Sequence, residues 1–173
     1  MPGNIGAVSH INRILVMGIG NLLLGDEGLG VHAIRELQNM KLPDDVELLD
    51  AGTAFINALS YIGDVHKLVI IDAIQEGKRP GAVYRIQIKH DSCMNYSTSI
   101  HGISIIDMMK IVQGPSPDSV TVFGVEPEYI GWGMELSDTI KGSMPLLIEA
   151  VCREITTYSK TSDLNECMMP RVC

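Results

Sequence analysis

Four side chains in this sequence could bind a cation or activate a water: Glu27, Asp50, Asp72 and His101. Glu27 lies in "GIGNLLLGDEGLG", which runs from Gly18 to Gly30. Asp50 lies in "LLDAGT", Asp72 in "VIIDA" and His101 in "SIHGIS". Taken singly, each has an ordinary structural reading. Asp26 and Glu27 suit a helix start, one as a cap and the other as a complement to the helix dipole. Asp50 suits a turn, Asp72 a strand end, and His101 the first turn of a helix. Glu126 and Glu128 flank Pro127 and read as solvated acids. Taken together, Glu27, Asp72 and His101 come from three separate strand-to-helix junctions. Two carboxylates and an imidazole at one place make a mixed oxygen and nitrogen metal site with open positions.

The elements that must bring them together follow from hydrophobic periodicity. "RILVMGI" is a near-continuous apolar run ended by glycine and reads as a buried strand. "DVELLDAG", "HKLVIIDAI", "AVYRIQI" and "SVTVFGVEP" read as four more. "EGLGVHAIRELQNM" has Leu29, Ala33, Ile34 and Leu37 at helical spacing. "TAFINALSYIGD" is a short helix with Thr53 as its cap. "IHGISIIDMMKIVQG" is a helix ended by Gly114 and the prolines beyond it. The closing helix, "LSDTIKGSMPLLIEAVCREITTYSK", has Pro145 at its start or at a kink. The stretch "KHDSCMNYSTS" reads as a loop, and residues 1–11 and 161–173 as flexible ends.

Alternating strands and helices in one domain of 173 residues imply an α/β fold. The expected form is a three-layer α/β/α sandwich with a twisted, mostly parallel sheet. Ligands of such sheets bind beyond the carboxyl ends of the strands. That rim here carries Gly18, Gly20, Asn21, Glu27, Asp50, Gly52, Thr53 and Asp72.

Several function classes are disfavoured. The formal net charge is -8 and no Lys/Arg cluster occurs, which argues against nucleic acid and anionic membranes. No apolar run approaches the ~20 residues of a membrane span. The N-terminus lacks the charged-then-apolar order of a signal peptide, so a cytoplasmic location is expected. The dinucleotide fingerprint fails because Leu23 stands at its third glycine, and Asp26 and Glu27 would repel a pyrophosphate. Neither a Walker lysine, a G-x-S-x-G elbow nor an HExxH zinc motif is present. Cys93, Cys152, Cys167 and Cys173 form no CxxC pair.

The same stretches resemble the NiFe-hydrogenase maturation endopeptidases. "ILVMGIGNLLLGDEGLGVHAIREL" is similar to that family's N-terminal signature, and "VELLDAGT" to its second-strand motif. "LVIIDAI" with "PGAVYRI", "SIHGISIIDMM" and "VTVFGVEPE" are similar to the later motifs. The resemblance implies removal of a C-terminal extension from the hydrogenase large-subunit precursor after nickel insertion. It implies Glu27, Asp72 and His101 as metal-binding residues and Asp50 as an acid of substrate processing or recognition. It further implies that nickel arrives with the precursor, so that the isolated protein can be metal-free. Glu27, Asp72 and Asp50 are the candidate catalytic carboxylates. Gly18, Gly20, Asn21, Asp50, Gly52 and Thr53 are candidate substrate contacts, the loop amides as possible oxyanion donors. The expected partner is the precursor, met by an acidic monomer. A non-catalytic metal-sensing or scaffold module would use the same cleft.

Overall fold

The computed structural model describes residues 13–54, 58, 61–63, 65–88 and 119–168, with the backbone alone from 160 to 168. The short helix expected over 53–64 lies largely outside these residues. The loop, His101 and the helix over 100–114 lie wholly outside them.

Five strands form where the apolar runs predict them: β1 (Ile14–Ile19), β2 (Val46–Gly52), β3 (Lys67–Ala73), β4 (Val83–Ile88) and β5 (Ser119–Val125). They make one sheet in the order β2-β1-β3-β5-β4. The first four strands of that order run parallel, and β4 closes one edge antiparallel to β5. The central strands β1 and β3 are buried on both faces, which explains their unbroken apolar runs. The edge strand β4 alternates between half-buried and exposed positions, as its sequence does.

Two helices are described, α1 (Leu29–Leu37) and α2 (Asp138–Met168). Both pack on one face of the sheet. Ile14, Val16, Val69, Ile71 and Phe123 meet Ile34 and Leu37 of α1 and Leu147 and Val151 of α2 there. The opposite face carries Leu15, Met17, Leu68, Ile70 and Val122. Among the described residues Ala58, Ile62 and Val65 cover it. Each fully buried aliphatic side chain here contributes about 1.5–3 kcal/mol.

α2 begins seven residues before Pro145 and contains it, so the proline does not mark its start. Ser137 caps the helix, its hydroxyl accepting the Ile140 amide at 3.3 Å. The helical backbone continues to Met168, past the expected end at Lys160. No helix among the described residues is long and apolar enough to cross a membrane.

Candidate active site

The first junction is built by backbone-on-backbone contact. A single 3-10 turn, Asp26–Gly28, follows the glycine loop and leads into α1. A side chain at Gly20 would meet the Glu27 carbonyl oxygen at 2.0 Å. One at Gly30 would meet the carbonyl oxygens of Ile19 and Ile71 at 2.2 and 2.3 Å. Glycine at these positions lets the start of α1 sit directly on the ends of β1 and β3. That seating delivers Glu27 to the end of β3, where Asp72 stands.

Asp72 is buried in the described structure. Burial holds its carboxyl well above the usual carboxylate range. The Ala73 N–H, donating to Oδ1 at 2.9 Å, works against that rise, and the Glu27 charge adds to it. The two acids therefore feel each other through space, and Oε2 of Glu27 is shielded from solvent. A divalent cation between two such carboxylates would relieve both the burial cost and the repulsion. Among the described residues no three His, Cys, Asp or Glu side chains gather closely enough to hold a metal. The third expected ligand, His101, lies outside those residues.

Asp50 occupies a different position. Its partner across the ladder is Gly18, which pairs on its other side with Ile71 of β3. Asp50 is therefore separated from β3 by the width of β1, two strand spacings or about 10 Å. Strand alternation puts it on the face of Leu48, and Asp72 on the face of Ile70. Asp50 is exposed, and its Oδ1 accepts the Gly52 amide at 3.0 Å in a local turn. Thr53 is exposed beside it.

The loop amides are used within the protein. Gly20 N–H donates to the Gly52 carbonyl at 3.0 Å and Asn21 N–H to the Glu27 carbonyl at 3.2 Å. Leu23 N–H donates to the Asn21 side chain at 3.0 Å. Gly25 N–H and Asp26 N–H reach Gly133 and Tyr129 at 2.7 and 3.1 Å. Gly18 and Gly20 are buried. The loop is thus a rigid mount for Glu27, and these five amides are already spent on the fold.

Two buried acids were misjudged from sequence. Asp26 is 1% exposed, and its carboxylate accepts four hydrogen bonds. The donors are the amides of Glu128, Tyr129 and Ser137 and the Ser137 hydroxyl. It caps no turn of its own helix. Glu126, read as solvated, is buried and accepts the amides of Glu76 and Gly77 and the Tyr84 hydroxyl. Burial opposes its ionisation, but these bonds and one from Lys78 together hold its carboxyl below the usual value. Tyr84 is pushed up to about 12 by burial, by its bond to Glu126 and by the nearby acid charges. Glu126 thereby shapes the loop that follows Asp72. The only sequence hint was that both acids sit at junctions flanked by glycine or proline.

Comparison with known proteins identifies the family. A family model described as hydrogenase maturation protease matches residues 31–154. The chain is 30% identical over 162 residues to the hydrogenase expression/formation protein HupD of Bradyrhizobium diazoefficiens, covering 88% of this chain and 83% of that one. It is 33% identical over 144 residues to the hydrogenase 2 maturation protease of Escherichia coli, covering 80% and 88%. The solved structure of the hydrogenase maturating endopeptidase HybD from E. coli superposes with a TM-score of 0.73. It is 29% identical and covers 84% of this chain and 93% of that one.

Proposed function

The chain belongs to the hydrogenase maturation protease family and is a hydrolase of the endopeptidase kind; on that premise we propose that it removes the C-terminal extension of a NiFe-hydrogenase large-subunit precursor once nickel is in place. The observation that carries the reading is the buried Asp72 carboxyl with the Glu27 charge acting on it. A buried acid at the carboxyl end of a parallel sheet, with a second half-buried acid acting on it, is costly unless it serves a cation or a proton transfer.

In this reading nickel comes with the substrate, already held in the precursor. Glu27, Asp72 and His101 recognise it and so place the scissile peptide at the rim. One carboxylate of the acid pair takes a proton from a water, whose oxygen adds to the scissile carbonyl carbon. The carbon–nitrogen bond breaks, and the same carboxyl returns the proton to the leaving amine. Asp50, Gly52 and Thr53, exposed or half-buried on the outer flank, contact the arriving chain. Gly18, Gly20 and Asn21 act through the mount they build for Glu27.

Glu27→Gln, Asp72→Asn and His101→Ala are each expected to lower kcat/KM on the nickel-loaded precursor by at least about 100-fold, roughly 2.7 kcal/mol. Asp50→Asn is expected to act mainly on KM. Full cleavage by Asp72→Asn would overturn this assignment of the site.

A further inference from the structure

The site is flanked by an exposed apolar platform that the cleavage chemistry does not use. Trp132 is 82% exposed and Met134 63%, and Leu23, Tyr129 and Ile130 are exposed beside them in the fold. These five large apolar side chains come from two segments, the glycine loop and residues 129–134. The segments are joined by backbone pairing. Gly25 and Gly133 N–H donate to the carbonyls of Gly133 and Leu23 at 2.7 and 3.1 Å. Asp26 N–H donates to the Tyr129 carbonyl at 3.1 Å, and Gly131 N–H to that of Leu24 at 3.4 Å. The Asp26 carboxylate clamps the start of the second segment through the Glu128 and Tyr129 amides. The platform is therefore rigid, and its anchor Asp26 is the immediate neighbour of Glu27.

A fixed backbone spares the cost of ordering the loop on binding, and clustered apolar patches of this kind mark interaction surfaces. Tryptophan, tyrosine and methionine are the residues enriched at such surfaces. The surroundings are acidic. Glu128, Glu135 and Asp138 are exposed. The only cation between residues 128 and 141 is Lys141, which is bridged to Glu135 at 3.2 Å.

We infer that Leu23, Tyr129, Ile130, Trp132 and Met134 form the docking surface for the precursor polypeptide, taking an apolar segment of it flanked by lysine or arginine. The inference rests on the proposed function for the identity of the partner. The apolar platform supplies the contact area and the acidic rim supplies charge complementarity. The hydrogen-bonded link to Asp26 fixes the distance between the docked segment and Glu27. Trp132 acts here as a positioning residue.

Trp132 is the single tryptophan of the chain, so 5-fluorotryptophan labelling places one fluorine signal on the platform. Unlabelled nickel-loaded precursor is titrated into the labelled protein while cleavage is followed by mass. The inference expects the fluorine resonance to shift or broaden with precursor. It expects Trp132→Ala, and the double variant Trp132→Ala with Met134→Ala, to raise KM at least tenfold with the loss in KM rather than kcat. Leu146→Ala, which removes an exposed apolar side chain on α2, serves as the control and should leave KM unmoved. An unmoved resonance overturns the docking surface, whether or not cleavage occurs. So does a resonance that shifts with protein concentration alone, which would mean a second copy of the chain occupies the platform. Cleavage of the precursor with an unmoved resonance leaves the protease reading standing, and absence of cleavage by the wild type removes that reading independently.

Discussion

Asp26 and Ser137, 111 residues apart in sequence, are joined twice. The Ser137 amide donates to Oδ1 at 2.7 Å and its hydroxyl to Oδ2 at 2.9 Å. This contact ties the loop that carries Glu27 to the capped start of α2. Asp26→Ala would leave three amides and a hydroxyl without their acceptor in a buried place. The expected cost is about 3 kcal/mol or more. For a domain of this size that is a fall in Tm of about 6–12 °C. Ser137→Ala should cost about 1 kcal/mol. Equal melting of Asp26→Ala and wild type in a thermal scan would show that the carboxylate does not hold the loop.

The reading of the strands from sequence succeeded because β1 and β3 are buried on both faces, so their apolar runs needed no knowledge of a partner. Asp72 was legible too, because it directly follows the apolar run of β3, whereas Glu27 reaches it only through the glycine seating of the turn. Asp26, Glu126 and Lys67 were not legible as buried polar residues. Their partners lie 42 to 111 residues away, and no local pattern encodes such a pairing. Pro145 left the start of α2 open from sequence; tertiary packing of the helix outweighs the local cost of a proline inside it.

The glycine mount makes a contrast within one protein. Gly20→Ala places a methyl 2.0 Å from a backbone oxygen that cannot move without displacing Glu27. Gly142, exposed in α2, has no atom within 4 Å of an added methyl. Gly142→Ala should stabilise the protein by about 0.5–1 kcal/mol. Gly20→Ala should destabilise it by several times that figure and lower cleavage as well. Urea melts of the two variants measure the difference, and a Gly20→Ala protein as stable as wild type would contradict the packing described.

Lys67 is buried at the opposite end of β3, with its ammonium 2.6 Å from Glu154, 2.8 Å from Thr121 and 3.0 Å from Ser119. Burial alone would raise the Glu154 carboxyl, but the bonds from Lys67, Arg85 and Thr121 bring it below its usual value. Lys67→Ala leaves Glu154 without its closest cation and should cost about 3–5 kcal/mol. Arg85 is half exposed, so Arg85→Ala should cost under about 1 kcal/mol. Replacing Lys67 and Glu154 together by methionine should recover much of the loss. A double variant no more stable than Lys67→Ala would contradict this pairing.

The titrating acids pull stability in opposite directions. Asp72 has a raised carboxyl in the folded protein. Above its unfolded value of roughly 3.9 the unfolded chain has lost the proton that the folded chain retains. Its contribution therefore falls as pH rises from about 4 to the folded value. Glu126 and Glu154 are lowered, so their contribution is present above roughly pH 4.3 and lost as pH falls through their folded values. Asp72→Asn should raise Tm at neutral pH while removing cleavage, and should flatten the decline that begins above about pH 4. A lower Tm for Asp72→Asn at pH 7 would mean that the charged carboxylate stabilises the fold.

In the proposed function this chain cuts the precursor only after nickel has been inserted. The most direct measurement is to incubate the purified protein with nickel-loaded and nickel-free large-subunit precursor and to weigh the products by mass spectrometry. A nickel-gated endopeptidase releases one C-terminal peptide from the nickel-loaded form alone. Equal cleavage of the nickel-free form, or cleavage of neither, would contradict it.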